Sequence, residues 1–301
     1  DPAPERKAAD RPPRMKEYAK TYVERSSERW TDKTQYEYQR RIDRHLVPAF
    51  GSSRIDSITR ADVAGLLDRI AKESGPYESN RVHELVRAMF NRAAVWGFVP
   101  EGHVNPARAI ERRTERSRER WLKPEEVSTL MSKVGEHGDI YFRAFVPLLL
   151  LTGMRKSELL RMRWADIDTS RAEVLLPKTK SGQPQVRQLS KPALEILRFL
   201  PRQEDNPYVF PGRRKGSRRR DFRNEWAAAR EAAGLSDVTL HDLRRTAGSY
   251  MAQAGVPLQV IGQILGHQSA DVTRVYARLA EENERDAVEA LGEKLAGLIG
   301  A

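Results

Sequence analysis

Apolar residues recur at helical spacing through the first hundred residues of the chain. Aromatic and aliphatic side chains three or four positions apart, or a multiple of that, predict helix from Met15 to Arg41. Thr59 is a predicted N-cap, because Asp62 supplies an acidic first turn and an apolar stripe follows it. Gly75-Pro76 is predicted to break this helix, and a further one runs from about Ser79 to Trp96. The pattern therefore predicts a bundle of about four helices.

The pattern changes in the second half of the chain. The run from Phe145 to Leu151 is too long and too continuously apolar for a surface helix, which predicts the buried centre of a second domain. After Trp164 the period shifts towards two, and segments at Ile167, Val174 to Leu176 and Val186 to Leu189 predict an antiparallel sheet of about three strands. The predicted fold is mainly α, with an N-terminal four-helix bundle and an α+β second domain that contains a small three-stranded antiparallel sheet.

A charged segment separates the two regions. Glu111 to Arg120 holds five Arg, three Glu and no apolar residue. It is interpreted as an interdomain linker near a nucleic-acid backbone, or equally as a solvated helical extension. The predicted organisation is a flexible lead-in at 1–14, a helical domain at 15–110, a linker at 111–120 and a second domain at 121–301.

Composition narrows the class of partner. The chain has 301 residues with 53 Lys and Arg against 42 Asp and Glu, a formal charge of +11 and a pI near 9.9. This excess favours a polyanionic partner, with nucleic acid as the first candidate, although a generic basic protein would share it.

The absence of cysteine excludes disulfides, thiolate zinc sites and cysteine nucleophiles, and fits a reducing cytoplasm. No apolar run is long enough for a membrane span, and none follows the first residues as in a signal peptide. A start at Asp1 instead of Met is expected of a piece of a longer protein.

The stretch from Thr239 to Tyr276 concentrates candidate chemistry. His241 and Arg244 lie three apart, so both can point to one side of a helix's first turn, although spacing does not separate Arg244 from Arg245. His267 follows a predicted helix cap at Gly266. All of these positions are equally explicable as helix starts and caps.

Tyr276 is ambiguous on periodicity. It falls on the apolar stripe of a predicted helix, so it is as easily a core aromatic as a nucleophile. Tyr250, which lies between Ala247 and Met251, is predicted to be the more firmly buried of the two tyrosines.

Further basic residues lie at predicted helix starts and turns. Arg155 is near the start of a helix that begins around Met154 and extends towards Trp164, where free N–H groups and the helix dipole favour an anion. Lys180 lies in the second turn of the sheet. A basic, Gly-rich loop from Pro211 to Arg220 supplies candidate phosphate contacts at Arg213, Arg214, Lys215, Arg218, Arg219 and Arg220.

These side chains suit phosphoryl transfer by a tyrosine. A phenol with a pKa near 10 is a weak nucleophile at neutral pH and needs a base or a positive field. Two guanidiniums and imidazole donors would stabilise the charge of a pentacovalent transition state, and a lysine could protonate the leaving oxygen. No acidic cluster in the sequence suggests a metal.

Five motifs in order resemble the signature of the tyrosine recombinase (phage integrase) family. They are Thr152-Gly-Met-Arg155-Lys-Ser-Glu158-Leu, Lys178-Thr-Lys180-Ser-Gly, His241-Asp-Leu-Arg244-Arg-Thr, Leu265-Gly-His267 and Tyr276. Each is weak alone, but the ordered set is specific. The first domain is similar, more loosely, to that family's core-binding domain, so 121–301 would be the catalytic domain. The resemblance implies DNA integration and recombination, as in integrases of prophages and other mobile genetic elements.

The resemblance also implies a role for each residue. Arg155 and Arg244 would clamp the scissile phosphate, and His241 and His267 would assist with hydrogen bonds and proton transfer. Lys180 would act as general acid towards the 5′ oxygen. Tyr276 would attack to form a 3′-phosphotyrosyl link, and Glu158 would support Arg155. Because the covalent link retains the bond energy, no cofactor, metal or ATP is expected.

Partners and departures follow from the same resemblance. The expected partners are double-stranded DNA attachment sites, accessory DNA-bending or excision factors, and further copies in a tetramer on DNA at the bacterial nucleoid. The amphipathic tail, Glu281 to Ala301, would dock on a neighbouring protomer, or pack on its own domain. An arm-binding domain would precede the chain.

Many members carry His two positions after the tyrosine, where this chain has Arg278. A type IB topoisomerase-like enzyme and a DNA-binding protein without catalysis are the alternative functions.

Overall fold

The computed structural model describes residues 11–115, 118–177, 183–267, 269, 273–277 and 288. The chain divides into two compact units, Asp1–Ser117 and Arg118–Ala301. Each unit has its own hydrophobic core. Within the described ranges, no helix is long and apolar enough to cross a membrane.

The first unit is helical. Its helices are α1 (Met15–Ser26), α2 (Asp32–Arg41), α3 (Val47–Phe50) and α4 (Arg60–Val95), with a π-helical turn at Ile42–Leu46.

The predicted helix from Met15 to Arg41 is interrupted. Trp30 is extended, and its ring packs against Tyr22 and Tyr38 at centroid distances of 5.5 and 4.9 Å. Thr31 then caps α2 by accepting a hydrogen bond from the backbone N–H of Thr34 at 3.2 Å. The aromatic residues whose spacing predicted one continuous helix therefore lie on both sides of a helix break and within it, and their rings pack together.

Helix α4 shows both features predicted for it. The Asp62 N–H donates to the Thr59 hydroxyl at 3.2 Å while the Thr59 N–H donates to the Asp62 carboxylate at 2.8 Å, which is a capping box. Gly75 has φ 85° and ψ 169°, so it separates α4 into two arms immediately before Pro76. With α1 and α2, these arms make the predicted four main helices.

The second unit combines helices with a small sheet. Its helices are α5 (Pro124–Gly135), α6 (Ile140–Thr152), α7 (Lys156–Leu159), α8 (Lys191–Phe199), α9 (Arg223–Ala232), α10 (Leu240–Gln253) and α11 (Leu258–Leu265). The sheet has strands β1 (Ile167–Asp168), β2 (Glu173–Leu176) and β3 (Gln185–Gln188) in the order β1-β2-β3, antiparallel throughout. This architecture confirms the predicted mainly α fold with a three-stranded antiparallel sheet.

The core of the second unit is built on α6. Phe142 and Phe145 of this helix are fully buried and pack with Phe210 and Phe222, with Phe145 and Phe222 centroids 4.7 Å apart. The predicted buried run is confirmed except at its end, where Leu151 is 42% exposed. Gly153 stops α6 with φ 59°, a left-handed conformation suited to glycine. Helix α6 thus fixes where Arg155 emerges.

The described part of the charged segment does not form a helical extension. Its described residues, 111–115 and 118–120, are non-helical. Arg113 bonds the Asn80 side-chain oxygen through its backbone N–H at 2.9 Å in the first unit. Arg118 and Arg120 pair with Asp242 and Glu126 in the second unit at 3.0 and 2.6 Å. These arginines are therefore engaged by polar groups of their own unit.

Candidate active site

Arg155 lies immediately before the single turn of α7. Its Nη1 donates to Glu158 Oε1 at 2.7 Å, its backbone N–H donates to Glu158 Oε2 at 3.0 Å, and its Nη2 donates to the Gly266 carbonyl at 3.0 Å. The predicted helix towards Trp164 is wrong, because α7 ends at Leu159. Since this one turn has a small dipole and Glu158 occupies the Arg155 N–H, the guanidinium supplies the attraction for an anion.

The structure distinguishes Arg244 from Arg245. Arg244 is 4% exposed; Nη1 donates to the Gly153 carbonyl at 2.7 Å, and Nη2 donates to the Leu265 carbonyl. Burial and the nearby Arg155 guanidinium lower the pKa of Arg244 to about 10, so it stays protonated at neutral pH. Arg245 instead donates to Asp242 Oδ1 at 3.0 Å. Only Arg244 therefore lies in the same buried charge cluster as Arg155.

His241 lies in the first turn of α10. The turn is fixed by a capping box in which the Thr239 N–H donates to the buried Asp242 carboxylate at 2.8 Å. His241 is exposed on one side, yet desolvation by the protein on the other side, followed by the charges of Arg245 and Arg244, lowers its pKa. A neutral imidazole is therefore available at neutral pH, with one nitrogen as donor and the other as acceptor.

His267 follows the left-handed Gly266 that ends α11. Its backbone N–H donates to the Gly262 carbonyl at 2.8 Å, and its Nδ1 lies 2.8 Å from the Thr273 hydroxyl. Its ring is parallel to that of Tyr276, with centroids 6.4 Å apart and an interplanar angle of 2°. Burial, then the charges of Arg244 and Arg155, lower the pKa of His267 to about 4. This imidazole is thus neutral in the DNA-free protein.

Tyr276 is buried close to charged arginines of its own chain. It is 4% exposed, while Tyr250 is only half-buried, so the prediction that Tyr250 is the more buried tyrosine is wrong. Burial raises the pKa of Tyr276, and the charges of Arg244 and Arg245 oppose that rise. Tertiary packing of the Tyr276 ring on Gly248 explains the difference, which periodicity could not show.

Family models and similar proteins agree with this arrangement. The model of the phage integrase family matches residues 120–283, more than half of the chain, and that of the phage integrase central domain matches residues 15–111. The chain belongs to the phage integrase family.

Similar proteins carry related names. Tyrosine recombinase XerA of Pyrococcus furiosus is 32% identical over 174 residues, which are 56% of this chain and 60% of that protein. The integrase of Salmonella phage P22 is 30% identical over 177 residues, which are 54% of this chain and 44% of that protein. The chain therefore spans about half of the length of these relatives. A lambda integrase tetramer bound to a Holliday junction has a TM-score of 0.70 at 16% identity over 87% of this chain and 80% of that chain. That likeness shows a shared fold.

Some predicted family features lie outside the described residues. These are Lys180, Arg278 and, apart from the exposed Val288, the predicted terminal helix.

The basic loop divides into engaged and solvent-facing arginines. Arg219 donates to Asp139 and Glu225 at 2.9 and 2.5 Å, and its guanidinium lies 4.5 Å from the centroid of Phe222. Lys215 pairs with Asp205 at 2.7 Å, but both side chains are highly exposed. Because Arg219 is committed to the protein interior, it anchors the loop, and the exposed members are better placed for phosphate contact.

Two residues close to the site escaped the sequence reasoning. Asp242, fully buried, accepts from Thr239, Arg118 and Arg245, and so holds the start of α10. Arg187, 8% exposed, lies on β3 with its guanidinium against Gly266. Asp242 was detectable three residues after a Thr, as a capping box. Arg187 was detectable as a charge at an inward position of a strand.

Gly248 provides the space that Tyr276 occupies. A Cβ on Gly248 would lie 2.4 Å from Tyr276 Cζ, inside contact distance. We expect Gly248→Ala to displace the phenol and slow DNA cleavage by at least ~10-fold, because small misplacements of reacting groups are costly. Gly65→Ala is the matched control, since a Cβ at Gly65 within α4 meets nothing within 4 Å. That control should gain about 0.5–1 kcal/mol of stability and cleave normally. Cleavage by Gly248→Ala at the wild-type rate would contradict the packing inferred here.

Proposed function

We propose that this chain is the core-binding and catalytic part of a site-specific DNA recombinase that integrates and excises a mobile element. Tyr276 would cleave DNA through a 3′-phosphotyrosyl intermediate. The observation that carries the proposal is the convergence, at the end of α11, of the Arg155 and Arg244 guanidiniums with the parallel His267 and Tyr276 rings. Membership of the phage integrase family and the names of the similar proteins support it.

The arginines are arranged to receive a phosphate. Arg155 and Arg244 each donate two side-chain hydrogen bonds to protein oxygens, out of the five N–H donors of a guanidinium. The bonded donors hold the two forks in place, and the remaining donors would bind the non-bridging oxygens of a scissile phosphate. Because the forks are fixed before DNA binds, little reorganisation is needed when charge develops in the transition state.

The proposed chemical step assigns a part to each of these side chains, and to Lys180, whose part is carried over from the sequence motif. The Tyr276 Oη attacks phosphorus, the bond to the 5′ oxygen breaks, and Lys180 donates the proton that this oxygen needs. His241 and His267, neutral in the free protein, provide hydrogen bonds to the phosphate and accept the phenolic proton. In the reverse sense, a 5′ hydroxyl of another strand attacks the phosphotyrosine and releases Tyr276. Each transfer exchanges one phosphoester for another, so the proposed cycle consumes no ATP, and the guanidiniums take the charge-stabilising part that a metal ion could otherwise play.

The two units would divide recognition between them. The first, which matches the phage integrase central domain, would be the core-binding domain, and the exposed arginines at 213, 214 and 220, with the partly buried Arg218, would contact phosphates in the second. The lambda integrase tetramer on a Holliday junction supports a tetramer on DNA. The terminal helix would join neighbouring protomers, and accessory bending or excision factors would set direction.

A nicked suicide substrate tests the proposed reaction. The DNA that flanks the gene supplies the attachment site, and the nick lets the released strand diffuse away, so the covalent protein–DNA adduct accumulates. We expect an adduct on attachment-site DNA, in the presence of EDTA and without ATP, and none on a scrambled duplex. Peptide mapping should place the DNA on Tyr276.

The alternatives give different outcomes in the same assay. A topoisomerase-like enzyme would relax supercoiled plasmids that lack the attachment site. A DNA-binding protein without catalysis would show tight, salt-sensitive binding with no adduct on any substrate. Either pattern would replace the proposed function.

A further inference from the structure

Strand β3 buries a charge and exposes an apolar residue. Arg187 is 8% exposed and Val186 is 51% exposed. The register pairs Arg187 with the fully buried Val174, and Val186 with the exposed Leu175. A buried guanidinium is costly unless hydrogen bonds and charges compensate for lost hydration. The inverted pattern therefore points to specific contacts that hold Arg187 inside.

Those contacts are made with the end of α11. Arg187 Nη1 donates to the Gln263 carbonyl at 3.2 Å, and Nη2 donates to the Gln185 side-chain oxygen at 2.6 Å. A Cβ on Gly266 would lie 1.9 Å from Arg187 Nη2. The guanidinium thus lies directly against the backbone of the turn that leads into His267.

Three guanidiniums converge on this one helix end. Arg187 bonds the carbonyl of Gln263, Arg244 that of Leu265, and Arg155 that of Gly266. The last carbonyls of a helix have no partner within the helix, and its dipole favours cations there. Arg155 and Arg244 come from the predicted phosphate site. Arg187 comes from the sheet and is not used by the proposed chemistry.

We propose that Arg187 is a positioning residue, which fixes the Gly266 turn so that His267 meets the scissile phosphate in a single orientation. The role of His267 in this statement rests on the proposed function. The inference that Arg187 places the His267 ring does not rest on the proposed function, so the two parts can be tested separately. The competing possibility is that Arg187 bonds the phosphate directly as a third guanidinium.

The charges around His267 influence its pKa, which can be measured in the protein without DNA. The pKa of His267, about 4, is lowered first by burial and then by the surrounding cations. Among the described residues, the groups that face it are Arg244 and His241 of α10, Arg155 beside α7, Arg187 of β3, and the uncharged Tyr276 and Thr273. Removing the Arg187 charge should therefore raise the titration midpoint of His267.

The first test follows the histidine resonances of the DNA-free protein through a pH titration. The chain has 6 histidines, and His267→Gln assigns the relevant signal. We expect Arg187→Met to move the His267 resonance and to raise its midpoint by roughly 0.5 pH unit, as for loss of one nearby cation. Arg187→Lys, which keeps a charge, should stay closer to wild type. Arg171→Met is the matched control, because its side chain is 73% exposed in the turn after β1. Unchanged His267 signals in folded Arg187→Met would overturn the inference whether or not the protein recombines DNA.

The second test measures suicide-substrate cleavage and DNA affinity together. We expect Arg187→Met to cleave about 10- to 100-fold more slowly with its Kd within about 3-fold of wild type, and Arg187→Lys to be intermediate. In a His267→Gln background the Arg187→Met effect should largely disappear, because both changes act through one group. Additive losses would instead assign Arg187 to the phosphate and overturn the positioning role. If wild-type protein forms no adduct, the proposed function fails, and the titration alone decides the positioning of His267.

Discussion

Replacing Tyr276 with phenylalanine is expected to abolish the covalent adduct on a suicide substrate, a loss of at least ~10⁴-fold in the cleavage rate. The change removes the only atom proposed to bond phosphorus, and leaves the ring that packs on Gly248 and lies parallel to His267. Because the substitution keeps the buried ring and removes a single oxygen, folding and DNA affinity should be close to wild type. The adduct is measured by denaturing gel electrophoresis, and affinity by titration of labelled duplex.

Tyr250 provides the control for this substitution. Its hydroxyl is buried and has no hydrogen-bond partner among the described residues, and its ring packs against Trp121 at 6.0 Å. We expect Tyr250→Phe to form the adduct at the wild-type rate. An adduct that persists in Tyr276→Phe and is lost in Tyr250→Phe would reverse the assignment of the nucleophile.

Arg244→Gln should cause the second large loss, about 10²–10³-fold in single-turnover cleavage, the size found when one preorganised donor to a developing oxyanion is removed. Glutamine cannot reach both the Gly153 and Leu265 carbonyls, which Arg244 joins, so α10 and α11 would also be held less firmly. Thermal unfolding therefore accompanies the kinetics. Arg244→Lys separates charge from geometry, because it keeps the cation and loses the two-pronged bond.

Arg245→Gln is the matched comparison. Arg245 lies one position along the same helix and pairs with Asp242, whose carboxylate also accepts from Thr239 and Arg118. Since that carboxylate keeps its other partners, we expect a loss of less than about 5-fold. Equal losses in the two variants would contradict the inference that burial against the Gly153 and Leu265 carbonyls sets Arg244 apart from Arg245.

Much of the fold was predictable because its signals are local. The Thr59–Asp62 capping box, the Gly75 break and the buried run of α6 depend on residues within a few positions of one another. The break at Trp30 was missed, because its cause is packing between aromatic rings on different helices. The extent of α7 was also missed, since a helical pattern does not show that the chain must turn after Leu159.

The identities of the candidate site residues were predictable from the sequence, but their arrangement in space was only partly predictable. The ordered motifs picked out Arg155, His241, Arg244, His267 and Tyr276, and the structure brings them around the end of α11. Lys180 stays a prediction. Residue spacing did not separate Arg244 from Arg245 or show the depth of Tyr276, because each depends on carbonyls or on a glycine distant in sequence.

The sequence by itself determined the helical and strand segments, the excess of positive charge and the types of group available for phosphoryl transfer. These follow from spacing, capping and composition, which act over short stretches of chain. Only the tertiary structure decided which guanidiniums face one another, that Gly248 leaves room for Tyr276, and that Arg187 of β3 supports the His267 turn. The physical reason is that burial and hydrogen bonding at this site join segments up to 111 residues apart, and no local pattern encodes such a contact.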